Sequence, residues 1–148
     1  FTFRVNYTIN PELTIEYYGQ PFVSAGKYSN INKIIDPDAE EFSDRYRIFT
    51  PSEITLNEIN NTYYIDENQD GVSDYSTGNP DFNFRQFRSN LVVRWEYMPG
   101  STVYFVWSQG RTSSDINGNF NYKNDLNDLY GVVPRNILLL KFSYLFSL

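Results

Sequence analysis

Cysteine and histidine are both missing from this 148-residue chain. Without cysteine it has no thiol nucleophile and no disulfide. Without histidine it lacks the commonest general base and the usual zinc ligands. No apolar run approaches the roughly 20 residues of a membrane helix, so helical spanning is excluded. Crossing by strands is not excluded, because each strand gives only a weak hydropathy signal. The chain opens on Phe1, inside an alternating stretch, with no initiator methionine and no signal peptide. That opening suggests a mature fragment or a C-terminal piece.

What the chain has in quantity is aromatic residues and localised acid. Phe, Trp and Tyr make up 18%, while the net charge is -6. Most of the 18 acidic residues lie between Ser29 and Gln86, with a second group between Arg111 and Arg135. Acid held in two segments argues against nucleic-acid binding.

Five segments alternate apolar and polar with period two: about 1–9, 13–28, 87–98, 102–111 and 136–148. Each has about the length of a tilted membrane strand, roughly 9–11 residues. Short turns, "NPE" and "PGS", join the first pair and the third to the fourth. Polar segments of about 29–86 and 112–135 make the other two connections. Outer-membrane barrels show this short–long asymmetry, with long loops outside.

The phases of the alternation sort the side chains. Phe3, Ile15, Leu91, Trp95, Phe105, Trp107, Phe142 and Tyr144 belong to one face, together with Leu148 at the chain's end. Arg4, Glu16, Arg88, Arg94, Glu96 and Lys141 all fall on the other. A lipid-facing aromatic band and a polar lumen produce this division. A soluble sandwich with a buried aromatic face produces it too, because alternation alone does not discriminate. Arg85, Arg111 and Arg135 lie at strand ends, where a headgroup rim would accept them. The lumen charges either line a solute path or form a salt-bridged plug.

Parity sets the turns. Opposed residues share a face, so each short loop has an odd count. That predicts three-residue loops, Asn10-Pro11-Glu12 and Pro99-Gly100-Ser101, with Asn6 opposite Glu16, Trp95 opposite Phe105 and Val93 opposite Trp107. Glu96 is expected within ion-pair reach of Arg94.

The loops hold two motifs. "DENQDGVSDY" places Asp66, Asn68, Asp70 and Asp74 at positions 1, 3, 5 and 9 of a calcium-type loop, with Gly71 at position 6. Thr77 stands where the bidentate Glu belongs, so any Ca²⁺ would be held weakly. An acidic surface turn would look the same. "DPDAEEFSDRY" predicts a short helix from Asp36 to Tyr46, with Pro37 at its first position. Carboxylate pairs such as Glu40/Glu41 have no sign of a pocket, and the expectation is that the chain is not an enzyme.

The run "NPDFNFRQFRSNLVVRWEY" followed by "PGS", with the closing "LLLKFSYLFSL", resembles the C-terminal barrel region of Bacteroidota outer-membrane proteins of unknown function. Those proteins carry an N-terminal domain similar to family-nine carbohydrate-binding modules. The resemblance covers roughly the last 90 residues. It implies an outer-membrane location and supplies no catalytic residues. The expectation is therefore an all-β fold: five C-terminal strands of an antiparallel up-and-down transmembrane barrel, with two long extracellular loops and a periplasmic C-terminus. The first strand would need missing strands or a partner chain at its edge, since small barrels close with about eight. Its partners would be the lipid bilayer and, at the loops, a glycan or protein, with calcium as the one conceivable cofactor. A solute channel and a soluble β-sandwich binding module are the alternatives.

Overall fold

A computed structural model describes residues 1–146. The chain is all-β with a single α-helix among those residues. It divides into two compact units. The first comprises Phe1–Ala25, Asn83–Asp115 and Asn119–Leu148; the second comprises Gly26–Phe82 and Ile116–Gly118.

The first unit is a five-stranded antiparallel sheet built from β1 (Phe3–Asn10), β2 (Leu13–Gly26), β8 (Phe82–Met98), β9 (Ser101–Asp115) and β10 (Arg135–Ser143), in the order β1-β2-β8-β9-β10. Tyr, Phe, Val, Ile and Thr fill these strands because branched and aromatic side chains suit a pleated surface. The sheet is open, with β1 and β10 as its edges. β8 and β9 extend well beyond the predicted 87–98 and 102–111, whereas β10 stops at Ser143 instead of continuing through the chain's end. Leu148, assigned to the aromatic face from sequence, lies outside the described residues.

Register sorts the side chains of β8, β9 and β10 into two faces. Leu91, Trp107 and Leu138 form one cross-strand row; Val93, Phe105 and Leu140 form the next; Trp95, Val103 and Phe142 form a third. The opposite face carries Arg94, Tyr104 and Lys141 in one row and Glu96, Thr102 and Ser143 in another. It is less polar than the sequence suggested, since Val92, Val106 and Leu139 make an apolar row there. Phe3 pairs with Gly19, and its ring occupies the space a Cβ at Gly19 would need. An aromatic thus covers a strand glycine from the neighbouring strand.

The first turn keeps the predicted pairing of Asn6 with Glu16, but Asn10 pairs with Leu13, so the loop is Pro11 and Glu12 instead of three residues, and a bulge between Thr8 and Asn10 takes up the odd residue. The second does not keep its predicted partners. Met98 pairs with Ser101, leaving the two-residue loop Pro99–Gly100, and a bulge falls between Glu96 and Met98. Pro pre-sets the first central position and Gly100, at φ +75°, takes the second. The bulge absorbs the odd residue, so the faces survive while the partners slip by two. Trp95 therefore opposes Val103, not Phe105, and Val93 opposes Phe105, not Trp107.

The second unit holds β3 (Asn32–Ile34) paired with β4 (Tyr46–Ile48), and a meander of β5 (Ile54–Asn57), β6 (Thr62–Ile65) and β7 (Tyr75–Gly78). None of these strands was predicted. The predicted Asp36–Tyr46 helix is reduced to one 3-10 turn, Phe42–Arg45. Asp36 does act as a local cap, but its carboxylate accepts from Asp38 N in a turn, not a helix. Phe49 and Ile65 are buried here.

Candidate functional site

The aromatic face of the sheet has no apolar cover over most of its area. Trp95, Phe105, Trp107, Phe142 and Tyr144 are exposed, as are Leu138 and Leu140, while Phe3, Ile15 and Leu91 are half-buried. In the whole described chain only Phe49, Ile65, Phe87 and Leu129 are buried apolar residues. Just two of these, Phe87 and Leu129, belong to the five-stranded unit. Each large apolar side chain gains about 1.5–3 kcal/mol on leaving water, so such a face favours an apolar neighbour.

One end of that face is covered, and by polar contacts. Helix α1 (Tyr122–Gly131) lies against the 83–87 end of β8 and the adjoining end of β9. Asn121 caps it: its side chain accepts from Asn124 N, and Asp125 Oδ2 accepts from Asn121 N at 2.9 Å. Leu129 is fully buried, and Phe87 packs against Tyr130 at 5.6 Å between ring centroids. Arg85, only 5% exposed, reaches Asp125 at 3.3 Å and Asp128 at 3.1 Å and is also ion-paired with Asp115. Asn83 donates to Asp125 Oδ1 at 2.8 Å. At the other end of α1, Arg111 donates to the carbonyls of Tyr130 and Val132, where the helix dipole favours a cation.

Arg85 and Arg111 are therefore not rim residues reaching outward, as sequence position suggested. They are turned under the helix, because the helix brings carboxylates and free carbonyls to them. Arg135 differs again: it pairs with Gly110 and so shares the charged face. The helix itself was missed. Its signals were present in Asn121 as cap, Leu126 and Leu129 at helical spacing, and Gly131 at the end.

The charged face is only partly paired. Arg94 bridges Glu96 at 2.8 Å, as expected, and Glu96 also accepts from Gly100 N in the turn. The Arg4 guanidinium stands 5.3 Å above the Tyr18 ring, and Lys141 stands 5.9 Å above Tyr104. Arg4, Asn6, Glu16, Tyr18, Asn90 and Val92 line a cavity of about 380 Å³ on this side.

In the second unit the Asp66–Asp74 segment joins β6 to β7. Asp66 accepts from Asp70 N and Gly71 N, Asn68 Oδ1 from Asp70 N, Asp70 Oδ1 from Val72 N, and Asp74 from Glu67 N. Gln69 and Gly71 both take positive φ. The acidic side chains thus bind the loop's own amides. Among the described residues no group of three or more His, Cys, Asp or Glu side chains is placed to hold a metal. Beside the loop, Glu53 is buried and accepts from Thr50 N and from Arg47 at 2.6 Å. Those bonds hold its carboxyl below the usual carboxylate range, the Thr50 amide most of all. Glu67 is likewise lowered, first by the Tyr75 hydroxyl and then by Lys33. A separate cavity of about 530 Å³ is lined by Ile34, Pro37, Phe42, Arg45, Tyr46 and Ile48 among others.

A single-layer antiparallel sheet with one aromatic and one charged face defines an all-β protein without a conventional sheet core. The chain belongs to the family described as a domain of unknown function (DUF5916), which matches residues 2–147. No curated protein and no solved structure matches it.

Proposed function

We propose that this chain supplies five consecutive strands of a transmembrane β-barrel in a bacterial outer membrane, with the aromatic face against lipid. The observation that carries the reading is the exposure of Trp95, Phe105, Trp107, Leu138, Leu140 and Phe142 on one face of an open sheet. Hydrocarbon is the environment in which such a face is stable. The resemblance to C-terminal barrel regions of Bacteroidota outer-membrane proteins supports it. The edges at β1 and β10 would pair with further strands, from elsewhere in the protein or from a partner chain.

Helix α1 limits the lipid band. It occupies the aromatic side of β8 and β9 as far as Phe87 and Arg111, so lipid would begin below Ser89 and Gln109. Trp107 Nε1 donates to Asn136 Oδ1 at 3.0 Å at that level, where an interfacial indole belongs. If β10 runs toward the periplasm, β9 runs outward and β8 inward. Both long connections are then extracellular. The Phe42–Tyr46 cavity and the Asp66–Asp74 loop become the surface-exposed binding elements, for a glycan or protein and for Ca²⁺ at millimolar concentration.

Cysteine accessibility tests the reading, since this chain has no native thiol. Asn68→Cys should react with a membrane-impermeant maleimide on intact cells. Gly100→Cys should react only after the outer membrane is opened. Recovery of the protein in the soluble fraction, without detergent, would refute the barrel.

A further inference from the structure

Arg88 and Arg135 face each other across Gly110. Both pair with that glycine, Arg88 from β8 and Arg135 from β10, so all three positions share the charged face. Two inter-strand spacings separate the arginines, about 10 Å between Cα atoms. Two guanidinium arms can close that gap from opposite sides. Gly110 puts no side chain between them, and a Cβ built there would meet nothing within 4 Å. Both arginines are exposed, and neither has a hydrogen bond or ion pair within the described residues. Glu96 on the same face is taken by Arg94, and Glu16 lies at a different cavity with Arg4.

A cavity of about 340 Å³ opens at this place, lined by Gln86, Arg88, Gly110, Arg111, Thr112 and Arg135 among others. Gln86 and Thr112 make the next row and bond each other at 3.3 Å. Arg111, the residue after Gly110, also borders the cavity, but its guanidinium lies on the other face, where it donates to the Tyr130 and Val132 carbonyls. Like charges directly opposed on a sheet are unfavourable. Here two arginines on one face flank an open cavity, and no carboxylate is among the residues lining it.

We propose that this cavity is an oxyanion site that takes the phosphate or sulfate group of a soluble ligand. A guanidinium fork binds two oxygens in its plane. A tetrahedral anion offers oxygens to two forks approaching from opposite sides, whereas a lone carboxylate presents a single two-oxygen edge. The bare backbone at Gly110 forms the floor on which the anion rests, and Thr112 and Gln86 supply neutral hydrogen bonds. The inference goes beyond the barrel reading: it rests on strand register, which holds whether the opposite face meets lipid or not.

Calorimetry on the full-length protein in detergent, at fixed ionic strength, tests it with inorganic phosphate, sulfate and acetate as probes. Phosphate and sulfate should show one saturable site, with acetate roughly tenfold weaker or more. Arg88→Gln and Arg135→Gln should each weaken phosphate binding by about tenfold or more, the worth of a charge-assisted hydrogen-bond pair. Gly110→Leu should abolish binding by filling the floor, and Arg4→Gln should leave it unchanged. Since neither Arg88 nor Arg135 carries a structural bond, their variants should keep the wild-type circular dichroism spectrum. Absence of saturable phosphate binding, acetate binding as tight as phosphate, or wild-type affinity in both arginine variants would overturn the proposal.

Discussion

Arg85 Nε lies 3.3 Å from Asp125 Oδ1, and both side chains are 5% exposed. This contact helps to join the five-stranded sheet to α1. A buried pair of this kind is costly to break, because the survivor is left charged and unsolvated. Arg85→Met should therefore destabilise the attachment of α1 by about 3–5 kcal/mol. Amide exchange should accelerate across residues 122–131 while the β8–β9 hairpin stays protected. Asp128→Asn should be far milder, since Asp128 is mostly exposed. Equal protection of α1 in the wild type and in Arg85→Met would show that the ion pair does not hold the helix.

Val93 and Arg94 are sequence neighbours on opposite faces. Val93 stands in a row with Phe105 and Leu140; Arg94 stands with Tyr104 and Lys141. Placed in lipid near the midplane, Val93→Arg should cost about 2–4 kcal/mol. Arg94→Leu should cost less, mainly the loss of its bond to Glu96. Urea unfolding in lipid vesicles would rank the two variants, and the reverse order would contradict the assignment of faces.

The β5–β7 unit should loosen in acid. Glu53 and Glu67 titrate below their usual range in the folded chain. A depressed folded-state value means stability that is present above the unfolded carboxylate value of about 4.3 and lost as pH falls below it. Proteolysis of the 46–78 segment should therefore be slow at pH 6 and faster below about pH 4. Glu53→Gln should remove much of that pH dependence, and an unchanged profile would count against it.

The acidic loop from Asp66 to Asp74 is already closed by bonds from Asp66, Asn68, Asp70 and Asp74 to its own amides. Any Ca²⁺ would compete with those bonds and has no Glu at the twelfth position. Calorimetry should show saturable heat only in the millimolar range. Asp70→Asn should lose that heat. A flat titration would reduce the segment to a self-capped turn.

Much of the sheet could be read from the sequence. The period-two pattern located the five long strands; register puts Arg88, Arg94, Glu96 and Lys141 on one side, and Arg4 and Glu16 share a cavity with Asn90 and Val92. Parity survives small errors, because a bulge and a loop can exchange one residue without changing faces. Partners do not survive them: Pro99–Gly100 closes a tighter turn than three residues, and every pair above it slips by two. The short strands of the 29–86 segment were unreadable because three- or four-residue strands give too few periods. The helix was overlooked because polar residues dominate it, and it docks through ion pairs with only Leu129 fully buried. Arg85 and Arg111 could not be placed without it, since their partners lie some 20–45 residues away in sequence. The cavity around Gly110 needs three strands in register, which no single segment reveals.

The chain's two tryptophans, Trp95 and Trp107, both stand on the aromatic face, and both are exposed. Their fluorescence reports directly on what touches that face. In vesicles of brominated phospholipid, the emission contributed by these two residues, defined by subtraction of a Trp95→Phe/Trp107→Phe variant, should be strongly quenched relative to ordinary phospholipid. Trp95 should be quenched more by bromines deep in the acyl chain than Trp107, which sits nearer the headgroups beside Asn136. Quenching by aqueous iodide with no effect of brominated lipid would mean that the face meets water or protein, and the barrel account would be wrong.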